Sequence, residues 1–265
     1  MATNGDVPYH HAVIGGERNF WLYDSQTGFD LTHPPTPTSP AIYPRLTIPT
    51  TTTQITVDPA KTALVIIDMQ NFFLSSAVGK PKGEGHKAVE QLVQYAIPAA
   101  REAGIRVVWV NWGLSRQEVD EMPPSMVRAF GFVAQTGRES VPLNKHGSTG
   151  HKYEGLGSWM GMVKDPSSGQ EIDAGKFLMR DQWNTALYPP LDKMYEEGKE
   201  MNLNDVWIHK NRMSGMWGPS TACSEYLEQE NISTVLFSGV NTVSKSMTSL
   251  FGIFGAHANT LNLVP

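Results

Sequence analysis

Thr62-Ala63-Leu64-Val65-Ile66-Ile67-Asp68 is the stretch that decides the fold. It is apolar on both faces and closes on a carboxylate, the pattern of a central strand in a parallel sheet covered on both sides. Downstream, Val89, Leu92, Val93, Ala96, Ile97 and Ala100 recur at the spacing of one helical face over 86–103. Pro98 is expected to kink that helix and Gly104 to end it. Ile105 to Val110 reads as a second strand ending at Asn111. Val206-Trp207-Ile208-His209 reads as a third ending at Lys210, and Thr234-Val235-Leu236-Phe237 as a fourth closing at Gly239-Val240. Ser220 or Thr221 is placed to cap a helix running to Glu230. Strands alternating with helices predict an α/β fold, a three-layer parallel sheet with helices on both faces and right-handed crossovers. Residues 112–204 read as less regular, with glycine-rich turns and Pro189-Pro190.

Upstream, residues 1–57 read as an extension. Thr32 to Thr53 is rich in Thr and Pro, which predicts no regular element of length there. Asn19 to Asp24 reads as a short strand, and Phe20, Trp21 and Tyr23 call for burial, so the extension is expected to lie as a flap on the domain or across a subunit interface.

The chain has 265 residues, a formal net charge of −5 and one cysteine. A single cysteine excludes an internal disulfide framework and any multi-cysteine metal site. Mild acidity argues against a sequence-blind nucleic-acid binder. No apolar run reaches the ~18–20 residues of a spanning helix, and Met1 to His11 lack the pattern of a secretory leader. The expectation is a cytoplasmic protein with no membrane and no nucleic-acid partner. No glycine-rich phosphate loop follows the first strand, and His146 and His151 read as loop residues, so neither cofactor nor metal is expected.

Ligands bind outside the carboxyl ends of strands in open parallel sheets. Asp68, Lys210 and Gly239-Val240-Asn241-Thr242 stand at such ends, and an Asp and a Lys at adjacent ends can pair. Each alone also has a plain reading, the Asp as a turn residue and the Lys as a solvated one.

Thr62 to Phe73, including Asp68-Met69-Gln70, closely resembles the first motif of the isochorismatase-like cysteine hydrolases. Ala99-Ala100-Arg101-Glu102-Ala103-Gly104-Ile105 with Val107-Val108-Trp109, then Gly157-Ser158-Trp159, His209-Lys210-Asn211-Arg212-Met213-Ser214 and Gly239-Val240-Asn241-Thr242 resemble its further motifs, in order and spacing. The resemblance implies a sheet ordered 3-2-1-4-5-6 and an Asp–Lys–Cys mechanism on a small-molecule substrate, usually an amide. In it Asp68 accepts the thiol proton and Lys210 stabilises the thiolate. The turn Val240, Asn241 and Thr242 forms the oxyanion site, with a cis peptide at Val240-Asn241. Asn111 and Trp112 are expected at the pocket rim, Phe72 and Phe73 at the rim or in the core, and Gly113, Trp159 and Trp217 in the pocket walls. A homo-oligomer is in keeping with the family.

The family pattern places its cysteine at position 245, where this chain has Lys245. Cys223 lies upstream in the helix before the fourth strand and reads as a packed residue. Ser244 or Ser246 would need a stronger base than any in view. The resemblance stops at Thr242. Val243-Ser244-Lys245 can be encoded by a sequence that opens like a eukaryotic intron donor, so 243–265 reads as a divergent tail of that origin. The expected organisation is therefore an extension over 1–57, the hydrolase domain over 58–242, truncated at its C-terminus, and the tail. The fourth strand is then an exposed apolar edge, with low stability, or one covered by the tail, whose Met247, Leu250, Phe251, Ile253 and Phe254 are apolar. The expected function is hydrolysis of a small amide C–N bond in the complete form, and inactivity in this chain. The rivals are a non-catalytic binding protein and a vinyl-ether hydrolase that needs no cysteine.

Overall fold

The computed structural model describes residues 9–17, 19–201, 203, 205–240 and 259–262. The extension is more ordered than its prolines suggest. It forms a five-stranded sheet of β1 (His11–Gly16), β2 (Asn19–Asp24), β3 (Gly28–Leu31), β4 (Leu46–Pro49) and β5 (Gln54–Val57), in the order β1-β2-β3-β5-β4. Pro49 is tolerated because β4 is an edge strand, where a missing N–H breaks no ladder. Thr47, within the stretch that reads as loop, is β-branched and suits its place in β4. Leu46 and Ile48 pack both on the buried trio Leu31, Ile55 and Val57 and on the main core, so the sheet lies against the domain as a flap would. Phe20 is buried, while Trp21 and Tyr23 are half-buried against Phe29.

The main sheet holds β6 (Thr62–Ile67) and β7 (Arg106–Trp112). Between them run α1 (Asn71–Leu74), α2 (Glu84–Gln91) and α3 (Ile97–Glu102). α2 and α3 are one continuous rod joined by a π-helical turn, Leu92–Ala96, in which the Ile97 N–H reaches back to the Leu92 carbonyl. Pro98 explains it: with no N–H of its own it cannot bond the preceding turn, which widens. The rod ends at Gly104, φ +76°, in a Schellman closure. There Ile105 N–H donates to the Ala100 carbonyl at 2.8 Å and Gly104 N–H to that of Arg101 at 3.1 Å.

The middle region carries α4 (Arg116–Asp120), α5 (Pro124–Ala129), the hairpins β8 (Phe132–Thr136)–β9 (Glu139–Leu143) and β10 (Met162–Lys164)–β11 (Glu171–Asp173), and α6 (Leu191–Glu200). The pattern of the sequence does not announce α6. Pro189-Pro190 reads as a breaker, yet proline is favoured at a helix start, and Leu191, Met194 and Tyr195 share the core-facing side. β12 (Val206–Lys210), α7 (Ala222–Gln229), β13 (Thr234–Gly239) and β14 (Asn259–Asn262) complete the fold. Thr221 is the cap of α7, accepting the Ser224 N–H at 3.1 Å.

The parallel sheet runs β12-β7-β6-β13-β14, which is 3-2-1-4-5 in its own chain order. Leu64, Ile66, Val107, Trp109 and Leu236 face the α2–α3 rod and α6, while Ala63, Val65, Val108, Val110 and Val235 face α7. The three-layer α/β expectation therefore holds. Of the two outcomes expected for the fourth strand, an open edge or one covered by the tail, the structure has the second: β14 pairs in parallel along β13, from Thr234 opposite Asn259 to Phe237 opposite Asn262. Backbone pairing from the tail covers that edge. Among the described residues no helix is long and apolar enough to cross a membrane.

Candidate active site

β6 ends where Asp68 takes a left-handed conformation, φ +57°, which an Asp tolerates better than a β-branched residue. Its N–H donates to the Val110 carbonyl at 3.1 Å and its carbonyl accepts the Gln70 N–H at 2.8 Å. The buried Gln70 side chain then clamps the end of β7. Its Oε1 accepts the Trp112 N–H at 3.0 Å, and its Nε2 donates to the Trp112 and Thr185 carbonyls, both at 2.7 Å. The turn that carries Asp68 is thereby tied to the next strand and to the middle region.

Lys210 closes β12 beside Trp112, its register partner. Its Nζ stands 2.8 Å from Asp68 Oδ2, with the two side chains 2% and 0% exposed. It also donates to the Met213 carbonyl at 2.9 Å and lies 4.6 Å from the centre of the Trp112 ring. A buried ammonium is sustained only where charge, acceptor and ring replace its water, and here all three do.

Lys210 also lines a polar pocket of about 280 Å³ with Glu118, Arg180, His209, Arg212 and Cys223 among its walls. Burial alone would raise the Glu118 carboxyl. The Ser115 N–H at 2.7 Å, the Arg180 guanidinium at 3.1 Å and the Asn211 amide at 3.0 Å outweigh it and hold the carboxyl below its usual range. Burial, with the Arg180 charge behind it, pushes the His209 imidazole below its ordinary value, against the opposing pull of Asp181 and Glu118. An unfolded chain therefore binds that proton first as pH falls. His209 costs stability from about pH 6.5 downward, the cost levelling off below its folded value. The urea midpoint is expected to fall between about pH 7.5 and about pH 5.5, and His209→Gln to reduce that fall. An unchanged slope in the variant would remove His209 as a contributor.

Cys223, on the core-facing side of α7, is 1% exposed, and burial pushes its thiol up to about 12. It packs, and a thiol in that state supplies no thiolate near neutral pH.

Other expected positions fall differently. Asn111 and Trp112 are fully enclosed rather than at a rim, at 0% and 2% exposure, Trp112 under the Gln70 clamp and the Lys210 contact. Phe72 packs on Phe177 in a core cluster, with Phe73 against it. Trp159 is exposed, its Nε1 donating to Asp173 at 2.7 Å beside the β10–β11 hairpin, and Trp217 is exposed as well. Gly113 makes room for the His209 ring, whose Nδ1 would lie 2.0 Å from a Cβ there. Val240 donates its N–H to the Ile67 carbonyl at 3.3 Å. Asn241, Thr242, the Val240-Asn241 peptide and Lys245 lie outside the described residues. His151 sits by the Phe130 carbonyl at 3.1 Å. Among the described residues no three His, Cys, Asp or Glu side chains gather as metal ligands would. Sequence reasoning misses Gln70, Glu118, Arg180 and His209 as site residues. Ser115-x-x-Glu118, a capping box, is the readable signal for one of them.

The family model described as Isochorismatase domain matches residues 62–150, from the first strand of the main sheet onward. A ureidoacrylate amidohydrolase of Methylorubrum extorquens is 28% identical over 202 residues, 74% of this chain and 65% of that protein. That of Methylobacterium radiotolerans is 26% identical over 192 residues, 71% of this chain and 59% of the relative. The chain thus spans less than two thirds of these relatives' length. Among solved structures, the nicotinamidase of Bacillus subtilis aligns with a TM-score of 0.42 at 18% identity, over 69% of this chain and 72% of that one. A Desulfovibrio vulgaris isochorismatase family protein aligns at 0.42 and 16%, over 76% and 78%. The family model thus falls on the strand that delivers Asp68 and the curated relatives run over most of the chain, and over these residues the protein is similar to the isochorismatase-like hydrolases.

Proposed function

We propose that the site is built to cleave the C–N bond of a small amide and that this chain lacks the nucleophile to do so. The observation that carries the reading is the buried Lys210–Asp68 pair at 2.8 Å, at the carboxyl ends of β12 and β6 on either side of β7. The amidohydrolase names of the curated relatives support the amide. In a complete site, a thiol passes its proton to the Asp68 carboxylate while the Lys210 ammonium stabilises the thiolate. The thiolate attacks the carbonyl carbon, and backbone N–H groups hold the oxyanion. Collapse expels the amine, which takes the proton from Asp68, and water then hydrolyses the thioester. Position 245, where the family pattern places the thiol, holds Lys245.

Ammonia release from a panel of small primary amides tests this. The chain is expected to be silent and the Lys245→Cys variant to turn over. A vinyl ether cleaved by the unsubstituted chain would favour the second reading, in which the enclosed Asp68–Lys210 pair works without a thiol. The proposed intron origin of 243–265 is tested by the transcript across the Thr242 codon. A message with no in-frame cysteine motif downstream of any alternative junction would overturn it.

A further inference from the structure

β1 is the outermost strand of the N-terminal sheet, paired with β2 on one side only, and all six of its residues are exposed. Val13 and Ile14 are 53% and 45% exposed. An open edge strand is a template for a further strand, and natural folds guard it with proline, charge or a bulge. The sheet's other edge, β4, has such a guard in Pro49. β1 has none: His11-Ala12-Val13-Ile14-Gly15-Gly16 holds no proline, lysine, arginine, aspartate or glutamate.

The phase of the ladder decides which backbone groups of β1 are open. Ser25 N–H donates to the His10 carbonyl at 2.9 Å, so these two form a hydrogen-bonded pair. The register runs on from there, with Val13 opposite Leu22 and Ile14 opposite Trp21. Hydrogen-bonded and open pairs alternate along an antiparallel ladder. Ala12 and Ile14 therefore bond inward to β2, while His11 and Val13 turn N–H and C=O to the open side.

We propose that this edge is an interface with a second copy of the chain, the two β1 strands pairing antiparallel about a two-fold axis at Val13. A two-fold axis makes a surface meet itself, so the strand must be its own complement. An axis at Val13 sets Val13 of one copy opposite Val13 of the other, each donating its outward N–H to the other's carbonyl. It sets Ala12 opposite Ile14, an apolar pair on the other face, and His11 opposite Gly15, which has no side chain to clash. Charge is complementary as well. Glu17 closes one end of the strand and His10 and His11 open the other, so antiparallel copies bring carboxylate beside imidazole at both ends. No like charges meet along 11–16. Two five-stranded sheets thereby become one of ten strands.

The test is the oligomeric state of the full chain by sedimentation velocity over a range of concentrations, with thermal melting of each protein alongside. A dimer that dissociates on dilution is expected, since a single strand edge is a small contact. Val13→Pro removes the outward N–H at the axis and no bond of the β1–β2 ladder, so it is expected to weaken association about tenfold or more while the melting temperature holds. Two further variants read the register, the native Cys223 being buried. Under mild oxidation Val13→Cys is expected to form a disulfide-linked dimer, because facing residues of a hydrogen-bonded pair stand about 5.5 Å apart at Cα, within disulfide reach. Ile14→Cys, displaced along the strand from its copy, is expected to link about tenfold more slowly. A chain that stays monomeric at every concentration would overturn the inference. So would a dimer that Val13→Pro leaves as tight as before, or linking of Ile14→Cys as fast as that of Val13→Cys.

Discussion

Replacing Lys210 by Met is expected to destabilise the protein by about 3–5 kcal/mol, because it withdraws the cation from a carboxylate that has no exposure to solvent. Against a typical total of about 5–15 kcal/mol, that loss shows as a large fall in the urea midpoint. The methionine keeps the length and the packing on Trp112, so lost volume is not the cause. The double variant Asp68→Leu with Lys210→Met removes both charges and is expected to recover most of the loss, since a buried pair replaced by apolar residues is close to neutral. The double-mutant cycle reads this as a large coupling. Losses that simply add would show that the two groups do not depend on one another.

Asp205→Ala is expected to cost a similar amount, about 3–5 kcal/mol, at the other end of the sheet. The Asp205 carboxylate has no exposure and holds Arg101 through both oxygens, at 2.6 and 3.2 Å, together with the Trp109 indole N–H at 3.0 Å. Arg101 also donates to the Met194 carbonyl at 2.6 Å, so one carboxylate joins α3, α6 and β7. Alanine leaves a nearly buried guanidinium and a buried indole N–H without their acceptor. The measurement is the urea midpoint of Asp205→Ala beside Asp205→Asn, which keeps one acceptor and is expected to lose less. Equal, small losses in both would show that the pair adds little.

Four strands of the main sheet are legible from their apolar runs, three of them ending on a marked residue, Asp68, Lys210 or Gly239, while β14 is not. The α2–α3 rod is legible from one apolar face, down to the disturbance at Pro98. The N-terminal sheet is legible only at Asn19–Asp24. Its other strands are short, and the sheet is held to the domain by Leu46 and Ile48 meeting a core built later in the chain. The same holds at the site. Asp68 and Lys210 stand at strand ends that can be read, but the groups around them are brought together across long separations. Glu118 meets Asn211 from 93 residues away, and Gln70 meets Thr185 from 115. A short motif points Trp159 to the pocket, and its indole instead bonds Asp173 on the surface.

Ammonia release by the Lys245→Cys variant, with and without Asp68→Asn, tests the central claim most directly. The account predicts no release by the unsubstituted chain, release by Lys245→Cys, and loss of that release when Asp68 is made Asn. Release by the unsubstituted chain, or release by Lys245→Cys that survives Asp68→Asn, would contradict it.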